Sequence, residues 1–159
     1  MHLVICAVGR LKAGPERQLA ERYLERAGEL ARKLGFSGPR VVEISESRAR
    51  DTDTRKREEA AGLIAKSEEI VRIALDERGQ ALTSAEFAAF LAKHRASGTR
   101  ALAFLIGGAD GLAPELLRVT QQTLSVGAMT LPHQLVRIVL LEQIYRALTI
   151  RSGHPYHRA

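Results

Sequence analysis

The chain has 159 residues and a mass of 17.4 kDa, with 45% hydrophobic and 26% charged residues, which fits one globular domain spanning residues 1–159. Because Cys6 is its only cysteine, the sequence excludes an internal disulfide and a cysteine-built metal site. Lysine and arginine outnumber aspartate and glutamate by 24 to 18, and the net charge of +6 favours a polyanionic partner without requiring one.

The lengths of the apolar segments predict where the protein works. The opening apolar run, residues 3–8, is too short for the hydrophobic segment of a signal peptide and has no basic segment before it. No apolar stretch approaches the roughly 18 residues that a membrane-spanning helix needs. We therefore expect a cytoplasmic protein that does not associate with membranes.

Apolar runs and turn residues alternate along the whole chain. They predict strands at 3–8, 41–44, 70–75, 101–106 and 125–131, the last of them brief and merging with a loop. They predict helices at about 15–33, 54–68, 83–98, in a short stretch from Pro114, and at 134–151. The polar, arginine-rich segment 46–58 is expected to be a mobile loop that leads into the second helix.

Three helix starts have specific signals. Pro15 and Pro114 suit the first turn of a helix, where proline loses no hydrogen bond. Thr83 and Glu86 have the spacing of a capping box, in which each side chain bonds the backbone of the other.

The fourth strand indicates the class of fold. Residues 101–106 are all apolar, which is typical of a strand buried on both faces, as in a parallel sheet. Strands also alternate with helices from end to end. The sequence therefore predicts an α/β protein with a mostly parallel sheet.

The last predicted helix is apolar over far more than one side. A helix of this kind is either buried in the middle of the monomer, or packs one face on the sheet and another on a second subunit. For a chain this small we favour the second arrangement, a homodimer.

Several standard sites are missing from the sequence. It has no phosphate-binding loop of the G-x-x-x-x-G-K-[ST] type, no G-x-G-x-x-G after a strand and no H-E-x-x-H. The five histidines lack acidic partners at metal-ligand spacing, so we expect no metal site.

Three stretches remain as candidates for chemistry. The first is the glycine turn, residues 105–111, at the carboxyl end of the fourth strand, where open α/β sheets bind ligands. An ordinary tight turn before a helix would have the same composition. The second is the segment 129–133, which ends in His133 at the start of the last helix. A cap or a surface histidine is the alternative there.

The third stretch is the tail, residues 151–158, in which Tyr156 could stack on a base and Arg158 could pair with a phosphate. Its alternative is a solvated basic end without a specific role.

Together these stretches carry a family resemblance. The motifs that carry it are Val8-Gly9-Arg10-Leu11-Lys12, Leu75-Asp76-Glu77-Arg78-Gly79 with Ser84-Ala85-Glu86-Phe87, the turn 106–112, Thr130-Leu131-Pro132-His133 and His154-Pro155-Tyr156-His157-Arg158. In this order and spacing the chain closely resembles the ribosomal RNA large subunit methyltransferase H family, the small bacterial members of the SPOUT (α/β-knot) methyltransferases. The likeness runs nearly end to end and is strongest from Leu102 onward.

The resemblance implies a fold, an activity and partners. The implied fold is a mostly parallel sheet of five or six strands with helices on both faces and a C-terminal trefoil knot. The implied activity is methylation of N3 of pseudouridine 1915 in helix 69 of 23S rRNA, with S-adenosylmethionine as the cofactor. The implied enzyme is a homodimer that works on the ribosome.

The resemblance also implies which residues do this. The cofactor would be bound by Leu75, Gly107, Val126, Gly127, Ala128, Met129, Thr130 and Leu131. The catalytic candidates are His133, Tyr156 and Arg158, and the substrate-binding candidates are Arg137, His154 and His157. The segment 46–58 matches the family least and receives no role.

Two other interpretations stay open from the sequence. One is a non-catalytic RNA-binding or ribosome-assembly module, and the other is a SPOUT enzyme that acts on tRNA. A cofactor pocket argues against the first, and the lack of an appended RNA-binding domain argues mildly against the second.

Overall fold

The computed structural model describes residues 1–157. Its strands are β1 (His2–Val8), β2 (Ser37–Ile44), β3 (Val71–Ala81), β4 (Ala101–Ile106) and β5 (Gln122–Ser125). Its helices are α1 (Pro15–Lys33), α2 (Thr52–Ala65), α3 (Ser84–Ala96), α4 (Pro114–Arg118) and α5 (His133–Ser152).

The five strands form one parallel sheet in the order β2-β1-β4-β3-β5. Alternate side chains of β1 point to opposite faces, as the period of a strand requires. Leu3 and Ile5 pack with α1, α3 and α5, whereas Val4 and Cys6 pack with α2 and α4. The predicted mostly parallel sheet of five or six strands with helices on both faces is confirmed, with five strands, and the trefoil knot stays a prediction.

The three predicted helix starts are confirmed. Helix α1 begins at Pro15 and α4 at Pro114. The backbone N–H of Glu86 donates to Thr83 Oγ1 over 3.2 Å, and the backbone N–H of Thr83 donates to Glu86 Oε2 over 2.7 Å. This capping box begins α3 and brings the chain out of β3 in a fixed direction.

The fifth strand was predicted in the wrong place. It spans Gln122–Ser125, and residues 126–131 form a loop. The hydroxyl of Ser125 accepts from the Gly127 N–H and donates to the Gly127 carbonyl, and Gly127 has a φ of 144°. This turn ends the pairing of β5 with β3. It needs glycine at position 127, because few other residues adopt φ values in that region. The apolar residues that looked like a strand therefore lie in a loop.

The segment 46–58 is not a free loop. Asp51 caps α2 by accepting from the Thr54 N–H, so the helix begins at Thr52, two residues before the predicted start, and ends at Ala65. The backbone N–H of Ser47 donates to the buried Glu59. The segment that precedes α2 is thus fastened to the helix rather than mobile.

Helix α5 packs on α1 and α3, on one face of the sheet. Its buried residues lie on several sides of the helix; they are Arg137, Ile138, Leu140, Leu141, Ile144, Tyr145, Ala147, Leu148 and Thr149. Burial within one chain therefore accounts for much of its apolar character, and the homodimer stays a prediction. Among residues 1–157, no helix is both long enough and apolar enough to cross a membrane.

Candidate functional site

A cleft of about 790 Å³ opens at the carboxyl edge of the sheet. Three segments form most of its wall: residues 75–78 of β3, the glycine turn at 106–112, and residues 125–136, which run from β5 into α5. Its volume lies in the range of small-molecule sites, and the carboxyl edge of a parallel sheet is where such sites occur.

The structure brings together the residues predicted to bind a cofactor. Those that line the cleft are Leu75, Gly107, Val126, Gly127, Met129, Thr130 and Leu131. Ala128 belongs to the same loop but does not line the cleft. That these residues hold a cofactor stays a prediction.

The packing and backbone shape of the glycine turn itself require Gly107 and Gly111. A Cβ at Gly107 would lie 2.9 Å from the backbone carbonyl of Gly111, and the Gly111 N–H donates to the Gly108 carbonyl over 3.1 Å. Gly111 has a φ of 80°. The residues of the glycine turn therefore do form a tight turn, as the alternative interpretation expected. The same turn gives the cleft a wall of backbone, which a ligand can approach closely.

The loop 126–131 forms another part of the wall. A Cβ at Gly127 would meet no atom of residues 1–157 within 4 Å, so this stretch of backbone faces open space. Met129 is 80% exposed, which is unusual for so large an apolar side chain. Thr130 Oγ1 lies 3.5 Å from Glu77 Oε2, so the loop reaches across to β3.

Strand β3 carries an irregularity that the sequence did not reveal. Leu75 and Gln80 both lie opposite Leu124, so residues 76–79 leave the ladder and bulge toward the cleft. The bulge needs Gly79, because a Cβ there would lie 2.5 Å from the Leu124 backbone.

The bulge presents an ion pair that sequence reasoning missed. Arg78 donates to both carboxylate oxygens of Asp76, over 2.9 Å and 3.1 Å. These bonds hold the pKa of Asp76 below its usual range. An acidic residue directly after a buried strand was the available signal, since parallel strands end at one edge.

Of the two catalytic candidates within residues 1–157, His133 and Tyr156, it is His133 that lines the cleft. It is the first residue of α5, and its Nε2 is 3.8 Å from Glu46 Oε1. Helix α5 has no side-chain cap at Pro132, so His133 does not serve as the cap that was the alternative interpretation.

Arg137 lies one turn further along α5 and is 1% exposed. Its guanidinium donates to Glu43 Oε1 over 2.5 Å and to the carbonyls of Gly9 and Val8 over 3.0 Å and 3.3 Å. Burial lowers the pKa of Arg137, although Glu43 opposes this. The burial favours a structural tie between α5 and the ends of β1 and β2, rather than the predicted contact with substrate.

The described tail residues do not line the cleft of their own chain. The Tyr156 hydroxyl lies 3.1 Å from Glu142 Oε1, and its ring centroid lies 4.7 Å from that of Tyr145. The guanidinium of Arg146 covers the same ring at 5.0 Å. Burial is the main cause that raises the pKa of Tyr156 to about 12.

The other tail candidates are placed as follows. His154 is exposed, and its Nδ1 accepts from the Tyr156 N–H over 3.1 Å. His157 is half-buried, next to the seated tyrosine in the chain. Arg158 lies outside the described residues. The catalytic and substrate-binding roles of the tail therefore stay predictions.

Comparisons with known proteins identify relatives along the whole chain. A family model described as predicted SPOUT methyltransferase matches residues 1–157. A ribosomal RNA large subunit methyltransferase H from Rhodopseudomonas palustris strain BisB18 is 58% identical over 160 residues, covering 100% of both chains. A protein with the same description from Bradyrhizobium sp. strain ORS 278 is 56% identical and covers 100% of this chain and 99% of its own.

Solved structures show the same fold at low sequence identity. A probable methyltransferase from Bordetella pertussis Tohama I matches with a TM-score of 0.52 and 13% identity, over 92% of this chain and 95% of its own. A probable methylase family protein from Haemophilus influenzae Rd KW20 matches with a TM-score of 0.50 and 12% identity, over 99% of this chain and 70% of its own.

Proposed function

This chain belongs to the SPOUT methyltransferase family, and from that premise we propose that it methylates N3 of pseudouridine 1915 in helix 69 of 23S rRNA. The methyl donor is S-adenosylmethionine, and the substrate is presented by the assembled ribosome. The relatives named for the large ribosomal subunit are more than 50% identical over full length, which supports this substrate over tRNA.

One observation carries the proposal: the glycine turn and the loop 126–131 line the same cleft. The residues present fit S-adenosylmethionine. The wall is mainly backbone and small or apolar side chains, and the open face at Gly127 leaves room where any other residue would place a Cβ. Leu75 and Gly107 would hold the cofactor there, together with Val126, Gly127, Met129, Thr130 and Leu131.

The bound cofactor supplies a methyl group on a positively charged sulfur. The protein has to align the acceptor and relieve it of its proton, because N3 of pseudouridine carries a proton at neutral pH and is a poor nucleophile until that proton leaves. His133 is our candidate for the second task, because it lines the cleft and its Nε2 lies 3.8 Å from Glu46 Oε1. Its Nδ1, the ring nitrogen that does not face Glu46, would accept the proton directly or through water.

The charge of the protein suits an RNA substrate. The chain carries a net charge of +6, and Arg10 and Lys12 are exposed just after β1, whose end Arg137 ties to α5. Phosphate contacts of this kind position an RNA without reading its sequence. Because the ribosome holds the substrate in place, so small an enzyme needs few RNA contacts beyond these.

The active form is a homodimer in the cytoplasm. Two large apolar side chains near the mouth of the cleft are unburied in the single chain, Met129 at 80% and Leu135 at 42% exposure. The tail is seated on α5 and does not line its own cleft. Both features support an arrangement in which the tail of one subunit completes the cleft of the other.

The test is mass spectrometry of 23S rRNA fragments after incubation of unmodified ribosomes with the protein and isotope-labelled S-adenosylmethionine. We expect one labelled methyl group, on N3 of the helix 69 pseudouridine. Label in tRNA instead would favour the tRNA enzyme. Binding to ribosomes without transfer of label would favour the non-catalytic module.

A further inference from the structure

Arg55, in the first turn of α2, joins the arginine-rich segment to the glycine turn. Its Nε donates to Asp110 Oδ2 over 2.7 Å, at the tip of the turn. Its remaining nitrogens donate to the carbonyls of Ala49 and Arg50 and to Thr52 Oγ1, over 2.8 to 3.0 Å. One guanidinium therefore fixes the start of α2 and the turn to each other.

Asp110 depends on this one contact. In the described part of the chain, no other side chain donates a hydrogen bond to its carboxylate. The backbone of the turn is closed by the bond from the Gly111 N–H to the Gly108 carbonyl, which leaves the tip to be positioned by Asp110. The contact is partly shielded from water, since the two side chains are 26% and 29% exposed.

A second contact links the same two elements. Glu59, one turn further along α2, is 7% exposed and accepts from the Ser47 N–H. A Cβ placed on Gly108 would lie 2.8 Å from Glu59 Oε2, so the turn lies directly against α2. Helix α2 thus forms the support behind the cleft wall.

We propose that Arg55 is a positioning residue for the cofactor, acting through Asp110 to hold the glycine turn in its binding shape. This inference rests on the proposed function, because it takes the turn as a wall of the S-adenosylmethionine site. It gives the segment 46–58 a role that its sequence did not indicate.

Two physical reasons support a measurable effect. A wall made of backbone binds well only when its carbonyl and N–H groups are already in place, since any ordering on binding is subtracted from affinity. The contact is also a charge-assisted hydrogen bond, which is stronger and more directional than a neutral one. Lowering of the Asp110 pKa by Arg55 agrees with such a contact.

The test measures binding of S-adenosylmethionine by calorimetry to the full chain and to Arg55→Gln, Asp110→Ala and the double variant. We expect Arg55→Gln to raise the dissociation constant roughly threefold to tenfold. Arg55→Lys keeps the charge but not the fork of donors, so its dissociation constant should lie between those of the wild type and Arg55→Gln. The matched control is Arg57→Gln, because the hydrogen bonds of Arg57 within residues 1–157 go to Asp53 and Thr54 on its own helix.

The double variant separates positioning from simple stability. If Arg55 acts through Asp110, then Arg55→Gln has no further effect on the dissociation constant once Asp110 is alanine. Fully additive effects, or unchanged affinity in Arg55→Gln, would overturn the proposal. Failure of the unmodified protein to bind S-adenosylmethionine would instead overturn the proposed function, so the two failures are distinguishable.

Discussion

At the scale of single residues, Tyr156 shows how the structure changes an expectation. Its hydroxyl is engaged by Glu142, and its ring lies between Tyr145 and Arg146. A phenol whose pKa is about 12 keeps its proton near neutral pH, so it is poorly suited to accept one from a substrate. Its contacts are those of an anchor for the tail.

Replacing Tyr156 with phenylalanine tests the anchor. The unfolded chain loses the phenol proton near pH 10, but the folded chain keeps it until about pH 12. Between these values the folded state binds more protons, so unfolding becomes easier as the pH rises. We expect the wild type to lose stability more steeply than Tyr156→Phe from pH 10 to 12, measured by urea unfolding. Equal slopes would contradict a half-buried phenol that keeps its proton above pH 10.

At the scale of elements, Arg137 connects three of them. It lies in α5, it pairs with Glu43 near the end of β2, and it donates to the last carbonyl of β1. Glu43 also accepts from the Leu11 N–H, so the loop after β1 is held by the same carboxylate. The start of α5, including His133, is thereby fixed against the edge of the sheet.

Loss of this tie should be costly. In Arg137→Ala the Glu43 carboxylate loses its charged partner and the carbonyls of Val8 and Gly9 lose the guanidinium donor, and we expect a loss of about 3 kcal/mol in the free energy of unfolding. Arg151→Ala is the control, because Arg151 is an exposed arginine on the same helix and should change stability by less than about 0.5 kcal/mol. Chemical denaturation measures both. Similar values for the two variants would refute the structural role.

Elements defined by local pattern were predictable from the sequence. The apolar run of β4 and the starts of α1, α3 and α4 lie where expected, because their signals lie within a few neighbouring residues. The loop 126–131 was misread because residues that line a cleft are as apolar as those of a strand. The β3 bulge was missed because the need for glycine at position 79 comes from contact with the Leu124 backbone, more than forty positions away.

The candidate site divides in the same way. The glycine turn and His133 were found because each follows a recognisable strand end or helix start. The contact between Arg55 and Asp110 was missed because the two residues are 55 positions apart in the chain. The seating of Tyr156 on Glu142 likewise depends on a helix that must first fold.

At the scale of the whole molecule, the separation of tail and cleft is the main feature. His133 lies in the cleft, whereas the described tail residues lie along α5 and outside it. A site that needs both would have to draw them from two subunits, as closed two-fold dimers allow.

Mixing two inactive variants tests this arrangement. His133→Ala keeps the tail, and truncation after Gly153 keeps the cleft; each alone should be nearly inactive while retaining affinity for S-adenosylmethionine. In a mixed dimer one of the two sites would be intact, so an equal mixture after subunit exchange should recover about a quarter of wild-type activity. No recovery, with mixed dimers verified by native mass spectrometry, would contradict a shared site.

The most direct test of the account is a nuclear magnetic resonance titration of the protein with S-adenosylmethionine, following the backbone amide signals. We predict that the largest shifts fall on residues 75–79, 107–111 and 126–131, with little change in α1. Absence of saturable shifts, or shifts concentrated on a different surface, would contradict the claim that the glycine turn and the loop 126–131 together hold the methyl donor.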